Sequence, residues 1–226
     1  MRANGYQAER ISTEWIERKI RDLDKTVRID DAVAFTYQDD GHDFYELNFP
    51  TAGWTCVYDH QTGWWHERGQ YDGTSDLFLA WSPQYHTHTF KHHLVADFRS
   101  GTIYRMALDL YADAAGAAMR RVRIAPGLVN ERKRIYYDKF RLYLDRGIGL
   151  ITGQGSDPQV FLRTSNDGGK TYGSERWRSA GKIGVYDAEV EWHQLGSAKD
   201  RVFMVAMSDP VPWRIADAWL EARLGV

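Results

Sequence analysis

The chain has 226 residues, 43% of them hydrophobic and 27% charged, an ordinary globular composition that allows one domain or two. Twenty-nine Lys and Arg against thirty-one Asp and Glu leave a formal charge of −2, so no net field draws the chain onto nucleic acid or an anionic membrane. Cys56 is the single cysteine, which excludes an internal disulfide; no apolar run approaches the roughly 20 residues of a membrane span, and the polar start Met1-Arg2-Ala3-Asn4-Gly5 does not read as a signal peptide, so a secreted enzyme and membrane insertion are both disfavoured.

Aromatic residues make up 14% of the chain and suit pleated, half-buried surfaces, so an all-β fold is expected. The one helix predicted lies near the front, where Ile11, Trp15, Ile16, Ile20 and Leu23 recur at helical spacing behind Ser12 or Thr13 as cap. It is expected to lie against the edge of a sheet. From Asp31 the period becomes two: Val33, Phe35 and Tyr37 share a face, Asp40-Gly41 turns, and Tyr45, Leu47 and Phe49 share a face on the return. Ala112 to Ala117 is small-residue loop material. Farther on, Phe140, Leu142 and Leu144 alternate with Lys139, Arg141 and Asp145, which should face water. The run Val202 to Met207 is nearly all apolar and reads as an inner strand.

Three turns share an acid before a glycine and an aromatic after it. They are Asp59 with Gly63 and Trp65, Asp97 with Gly101 and Tyr104, and Ser165-x-Asp167-x-Gly169-x-Thr171-Tyr172. The carboxylate can accept N–H bonds inside the turn while glycine takes the positive φ. Gly63 and Gly101 are about one propeller blade apart, given repeats of roughly 40–50 residues. The third turn fits the Asp-box, a hairpin turn of propeller blades that signals fold rather than function. The fold expected is therefore all-β, with propeller-like blades, an Asp-box hairpin and one short helix.

Chemistry-bearing patterns are sparse. His86 and His88, within Tyr85 to His93, would project from one strand face as two metal ligands could, with Asp97 as a conceivable third. A solvated or interface cluster is the plainer explanation, so no metal and no cofactor is assigned. Arg123-Ile124-Ala125-Pro126 faintly echoes the arginine motif of sialidases, but nothing marks a nucleophile with its paired acid. Gly147 to Gly153 lacks the glycine placement and following helix of a phosphate loop and reads as a turn. Arg120, Arg121, Arg123, Arg132, Lys133 and Arg134 interleave with Val122 and Ile124 as a solvated strand face would. No catalytic residue is assigned.

An ordered set of words nevertheless resembles the C-terminal half of the packaged-DNA stabilisation proteins, the tail hub or nozzle family of lambdoid short-tailed phages. Near the front these are Arg10-Ile11-Ser12-Thr13, Phe49-Pro50-Thr51-Ala52-Gly53, Val57-Tyr58-Asp59 and Gly101-Thr102-Ile103-Tyr104. Near the end they are Arg163 to Thr171, Trp177-Arg178, Gly181-Lys182-Ile183-Gly184, Trp192, Asp200-Arg201-Val202-Phe203 and Ser208-Asp209-Pro210-Val211-Pro212-Trp213. The resemblance implies a non-enzymatic virion protein assembled in the bacterial host cytoplasm, joining copies of itself in a six-fold ring below the portal. Its implied partners are a tail adaptor, a tail needle or plug, and phage DNA in transient, non-specific contact. It also implies a single propeller-like domain over residues 1–226, with sub-regions 1–111 and 118–226, completed by another chain or neighbouring copies because family chains are longer. A carbohydrate-binding or sialidase-like propeller is the alternative.

Overall fold

A computed structural model describes residues 2–225, in which β-structure dominates and one short helix occurs. The described chain divides into two compact units, Met1–Ala107 and Leu108–Val226. The small-residue stretch lies inside the second unit, where Ala112 and Ala118 bridge across a single turn of 3-10 helix.

The first unit begins with a small hairpin, β1 (Arg2–Asn4) and β2 (Gln7–Glu9), and helix α1 (Glu14–Asp24). Thr13 caps the helix by accepting the Ile16 N–H at 3.4 Å, Glu14 and Glu17 sit at its positive end and Arg21 at its negative end. Five antiparallel strands follow in chain order: β3 (Val33–Asp39), β4 (His42–Phe49), β5 (Trp54–Asp59), β6 (Trp64–Asp72) and β7 (Leu77–Ala80). The β3–β4 turn places Asp40 and Gly41 both at positive φ, as a two-residue hairpin demands. A separate three-stranded meander completes the unit, with β8 (Pro83–Thr89), β9 (His92–Asp97) and β10 (Ile103–Met106).

The register puts Tyr37 opposite Phe44 and Leu47 opposite Cys56, so the triplets Val33, Phe35, Tyr37 and Tyr45, Leu47, Phe49 lie on opposite faces of one sheet. Both faces are covered. On one, Ile16, Ile20 and Leu23 of α1 pack on Leu47, Phe49, Trp54, Cys56 and Trp65. The helix thus lies on the sheet's face and not at its edge, because its apolar stripe matches a face that would otherwise be wet. Burying a side chain the size of Ile16 contributes about 1.5–3 kcal/mol. On the other face β3 packs against β8, and the Asn48 amide donates to the carbonyls of Trp81 (2.6 Å) and Pro83 (3.2 Å).

The second unit contains β11 (Arg121–Ile124), β12 (Leu128–Val129), β13 (Ile135–Leu144), β14 (Gln159–Ser165), β15 (Arg176–Ser179), β16 (Val190–Ala198), β17 (Asp200–Met207) and β18 (Ile215–Leu224). One sheet runs β11-β17-β14-β15, with β12 also on β17; the other runs β16-β13-β18. Between them lies one core, built of Phe140, Leu142 and Leu144 from β13, Val160 and Leu162 from β14, Val190 and Trp192 from β16, and Phe203, Val205 and Met207 from β17. Lys139 and Arg141 point outward and pair with Glu191 and Glu221. β17 is an inner strand, as its apolar run indicates.

The propeller-like expectation is not confirmed. Among the described residues none of the sheets closes on itself, and β11-β17-β14-β15 joins strands distant in sequence, whereas a blade is a local repeat. The second unit is two stacked antiparallel sheets. Alternation identifies the face a residue occupies but not the strand it pairs with, which is why the sequence pattern fits both architectures.

One buried acid stands out in the first unit. Glu46 is fully buried, one carboxylate oxygen accepts from Arg68 Nη1 at 2.9 Å, and the other has no partner. Burial raises its pKa to about 7, with Arg68 pulling it back down. Because the folded value lies above the unfolded one, Glu46 favours the fold fully below about 4.5, and this contribution is lost as pH rises through about 7. Glu46→Gln should therefore gain stability relative to wild type between pH 5 and 7, by at most about 1.4 kcal/mol per pH unit, and the difference should level off above that. Chemical denaturation across pH measures it.

Candidate functional site

The acid turns have a common construction. At the β5–β6 turn, Asp59 accepts the Gln61 N–H (3.0 Å) and the Thr62 hydroxyl (2.8 Å), the Gly63 N–H donates to the Asp59 carbonyl (2.9 Å), and Gly63 has φ +71°. At the β9–β10 turn, Asp97 accepts the Arg99 N–H and the Ser100 hydroxyl, both at 2.7 Å, and Gly101 has φ +66°. Trp65 donates its indole N–H to the Ile11 carbonyl at 2.9 Å, and Tyr104 pairs with Val95. A third copy escaped the sequence reading. Asp72 accepts the Thr74 N–H (3.0 Å) and the Ser75 hydroxyl (2.6 Å), and Asp76 takes the position of the glycine at φ +56°. The signal that would have found it is the acid followed three residues later by Ser or Thr.

The Asp-box turn between β14 and β15 is wired differently. Asp167 accepts the N–H groups of Lys170 (2.9 Å) and Thr171 (3.0 Å) and the hydroxyls of Ser165 and Thr171, both at 2.6 Å. These donors hold its carboxyl well below the usual range, the Ser165 hydroxyl first. Ser165 is buried and accepts the Gly169 N–H at 2.9 Å, while Tyr172 lies over Arg163. Every carboxylate oxygen here is occupied by its own turn, which is a structural use of the acid.

Arg201 is the residue whose role the sequence did not disclose. It is 4% exposed, donates to Asn166 of the Asp-box at 2.9 Å and to the carbonyls of Leu195 and Ser197, and lies 4.6 Å from the Tyr137 ring centre. A guanidinium satisfied this way ties the Asp-box hairpin to β16. At that point Gln194 and Leu195 of β16 oppose the single residue Asp138 in a β-bulge.

His86 and His88 do project from one face of β8, but the group that joins them is His93 and not Asp97. His86 Nε2 lies 2.9 Å from His93 Nδ1, whereas Asp97 is spent in its own turn at the other end of the hairpin. Among the described residues no group of three or more His, Cys, Asp or Glu is placed to hold a metal ion.

The basic stretch is largely engaged within the protein. Arg121 donates to the carbonyls of Val211 (2.6 Å) and Asp209, and Arg120 bonds Ser208 at 3.3 Å and lies over Phe161. Arg134 bonds Ser197 and Lys133 pairs with Glu131, while Arg123 lies exposed on β11. The Gly147 to Gly153 segment is a turn, closed by Leu150 N–H to Gly155 carbonyl at 2.8 Å and followed by β14.

Two substitutions test the turns by thermal or chemical unfolding. Ser165→Ala strips a buried acceptor from the Gly169 N–H and should cost about 1–3 kcal/mol. Gly101→Ala meets no atom within 4 Å of the added Cβ, so any loss reports backbone strain alone and should be about 1–2 kcal/mol.

No curated protein matches the chain significantly. Residues 120–223, which span β11 to β18 but for its last residue, match the family model described as "Bacteriophage P22 Gp10, beta-sandwich", so that this part of the chain is similar to a phage P22 tail-associated family whose described architecture is the one its two stacked sheets display.

Proposed function

We propose that the chain is a structural component of a short phage tail, forming part of a ring that retains packaged DNA and gives it a path out at ejection. The observation that carries this reading is the match of residues 120–223 to a phage tail-associated family. The two-sheet core supports it independently, since the sheets agree with the architecture that the family description names.

The chemistry of the chain suits such a role. Its acids in turns are consumed by turn hydrogen bonds, and Arg120 and Arg121 of its basic stretch clamp the loop that holds Ser208, Asp209 and Val211. A formal charge of −2 gives no long-range pull on DNA. With about −0.9 log units of affinity per log unit of salt for each phosphate neutralised, two or three contacts would hold DNA weakly and let it slide. Among the described residues no helix is long and apolar enough to cross a membrane. The partners proposed are copies of the same chain, a tail adaptor and a needle or plug, with DNA touched only in passing.

Electron microscopy and mass spectrometry of purified tails should find the chain in a symmetric ring, and particles lacking it should package DNA and then lose it. Absence from virions would overturn the tail assignment. Full, stable particles without the protein would overturn the retention role, and tight, salt-resistant binding of duplex DNA would overturn the passive conduit.

A further inference from the structure

In the first unit the pair His86 and His93 sits between the β8–β9–β10 sheet and strand β3. The His86 ring stacks on Phe35 (centroids 5.7 Å, planes 13° apart) and lies 5.5 Å from Tyr37, and His93 meets Tyr37 edge-on at 6.1 Å. The two imidazoles meet edge to edge through His86 Nε2 and His93 Nδ1, with centroids 5.1 Å apart and planes 26° apart, and His88 adds a third ring 4.7 Å from His93. We propose that His86 and His93 form a proton-sensitive latch that holds the β8–β9–β10 sheet against β3 and loosens it on acidification.

The argument is one of donors and acceptors. Nitrogens 2.9 Å apart share a hydrogen bond only while one of them keeps a lone pair, so the pair accommodates one extra proton but not two. A second proton sets two N–H donors head to head inside an aromatic contact. Relief requires the rings to separate, and the rings are part of the contact between sheet and strand. Burial, with His93 and His88 alongside, lowers the pKa of His86. A base whose folded pKa is depressed supports the fold fully above its unfolded value, near 6.5, and that support fades as pH falls below it.

Charged groups face the pair from several neighbouring elements. From β3 and β6, the Tyr37 hydroxyl accepts from Arg68 at 2.8 Å, and Arg68 also pairs with Glu46 of β4. On β10 the neighbours are Met106, opposite His93, and Arg105. Asp39, Asp40, Asp43 and His42 line the same cleft as His93, near the β3–β4 turn. Those acids can welcome the first proton; the second still has no acceptor. The latch does not depend on the tail reading.

Amide hydrogen exchange on the full chain tests it. Between pH 7.5 and 5, after correction for intrinsic rates, β8, β9 and β10 should lose about tenfold protection relative to β4 and β5. In the double variant His86→Phe, His93→Phe, which keeps aromatic rings beside Phe35 and Tyr37 but removes the shared nitrogens, that selective loss should vanish. Equal loss in the variant, or unchanged protection in wild type, overturns the latch. NMR titration of the unaltered protein decides independently of the variant's folding. The pair should take up its two protons in separate steps, and coincident, independent titration of both rings overturns the proposal.

Discussion

A strand buried on both faces exists only if something dry covers each face, and most of this fold follows from meeting that demand. β5, from Trp54 to Asp59, is buried along its whole length. One of its faces is covered by α1, and on the other face of the same sheet β3 packs against β8, so the first unit is built in layers. β17 makes the same demand in the second unit. There Phe203, Val205 and Met207 face the stacked sheet, while on the far face of neighbouring β14 Phe161 is sealed by the Trp177 ring at 4.7 Å and the Arg120 guanidinium at 4.9 Å. The abundance of aromatic residues is the composition that such double-sided burial requires.

Sealing the sides of the second unit falls to arginine and tryptophan. Arg176 and Arg178 of β15 donate to the backbone carbonyls of His193 and Glu191 on β16, and Trp192 returns its indole N–H to the Arg176 carbonyl at 2.6 Å. These bonds run between the two sheets and occupy polar groups that an open sandwich would leave to water. Arg201 does comparable work at the Asp-box end. Several cationic side chains in this unit, Arg121, Arg176, Arg178 and Arg201 among them, are thus committed to backbone oxygens.

What the sequence disclosed follows the range of the forces involved. Helix α1, the Asp40-Gly41 hairpin, the buried face of β13 and the acid-glycine turns are local, set by spacing, capping and glycine's access to positive φ. The turns at Phe90-Lys91 and Glu131-Arg132 were hidden, since four residues with a Cβ adopt φ between 46° and 62° there, held by the strands on either side. β18 was hidden for the opposite reason. Its sequence, with Ala216, Ala218, Leu220, Glu221, Ala222 and Arg223, is rich in helix formers, yet it pairs with β13 along its length because the core needs a third strand there. Whether sheets stack or ring a channel depends on partners far apart in sequence, and alternation carries no information about them. Of the site, the Asp-box and the shared face of His86 and His88 were legible; His93 as their companion and Arg201 as the tie were not, because each is brought in by register.

The lone thiol has a practical consequence. Cys56 is fully buried under α1, and burial pushes its pKa up to about 12, so almost no thiolate forms at neutral pH while the helix is seated. Its alkylation rate is then a clock for the departure of α1 from the sheet. A cysteine introduced on any exposed turn would carry a fluorophore or a crosslinker alone, with the native residue left in place.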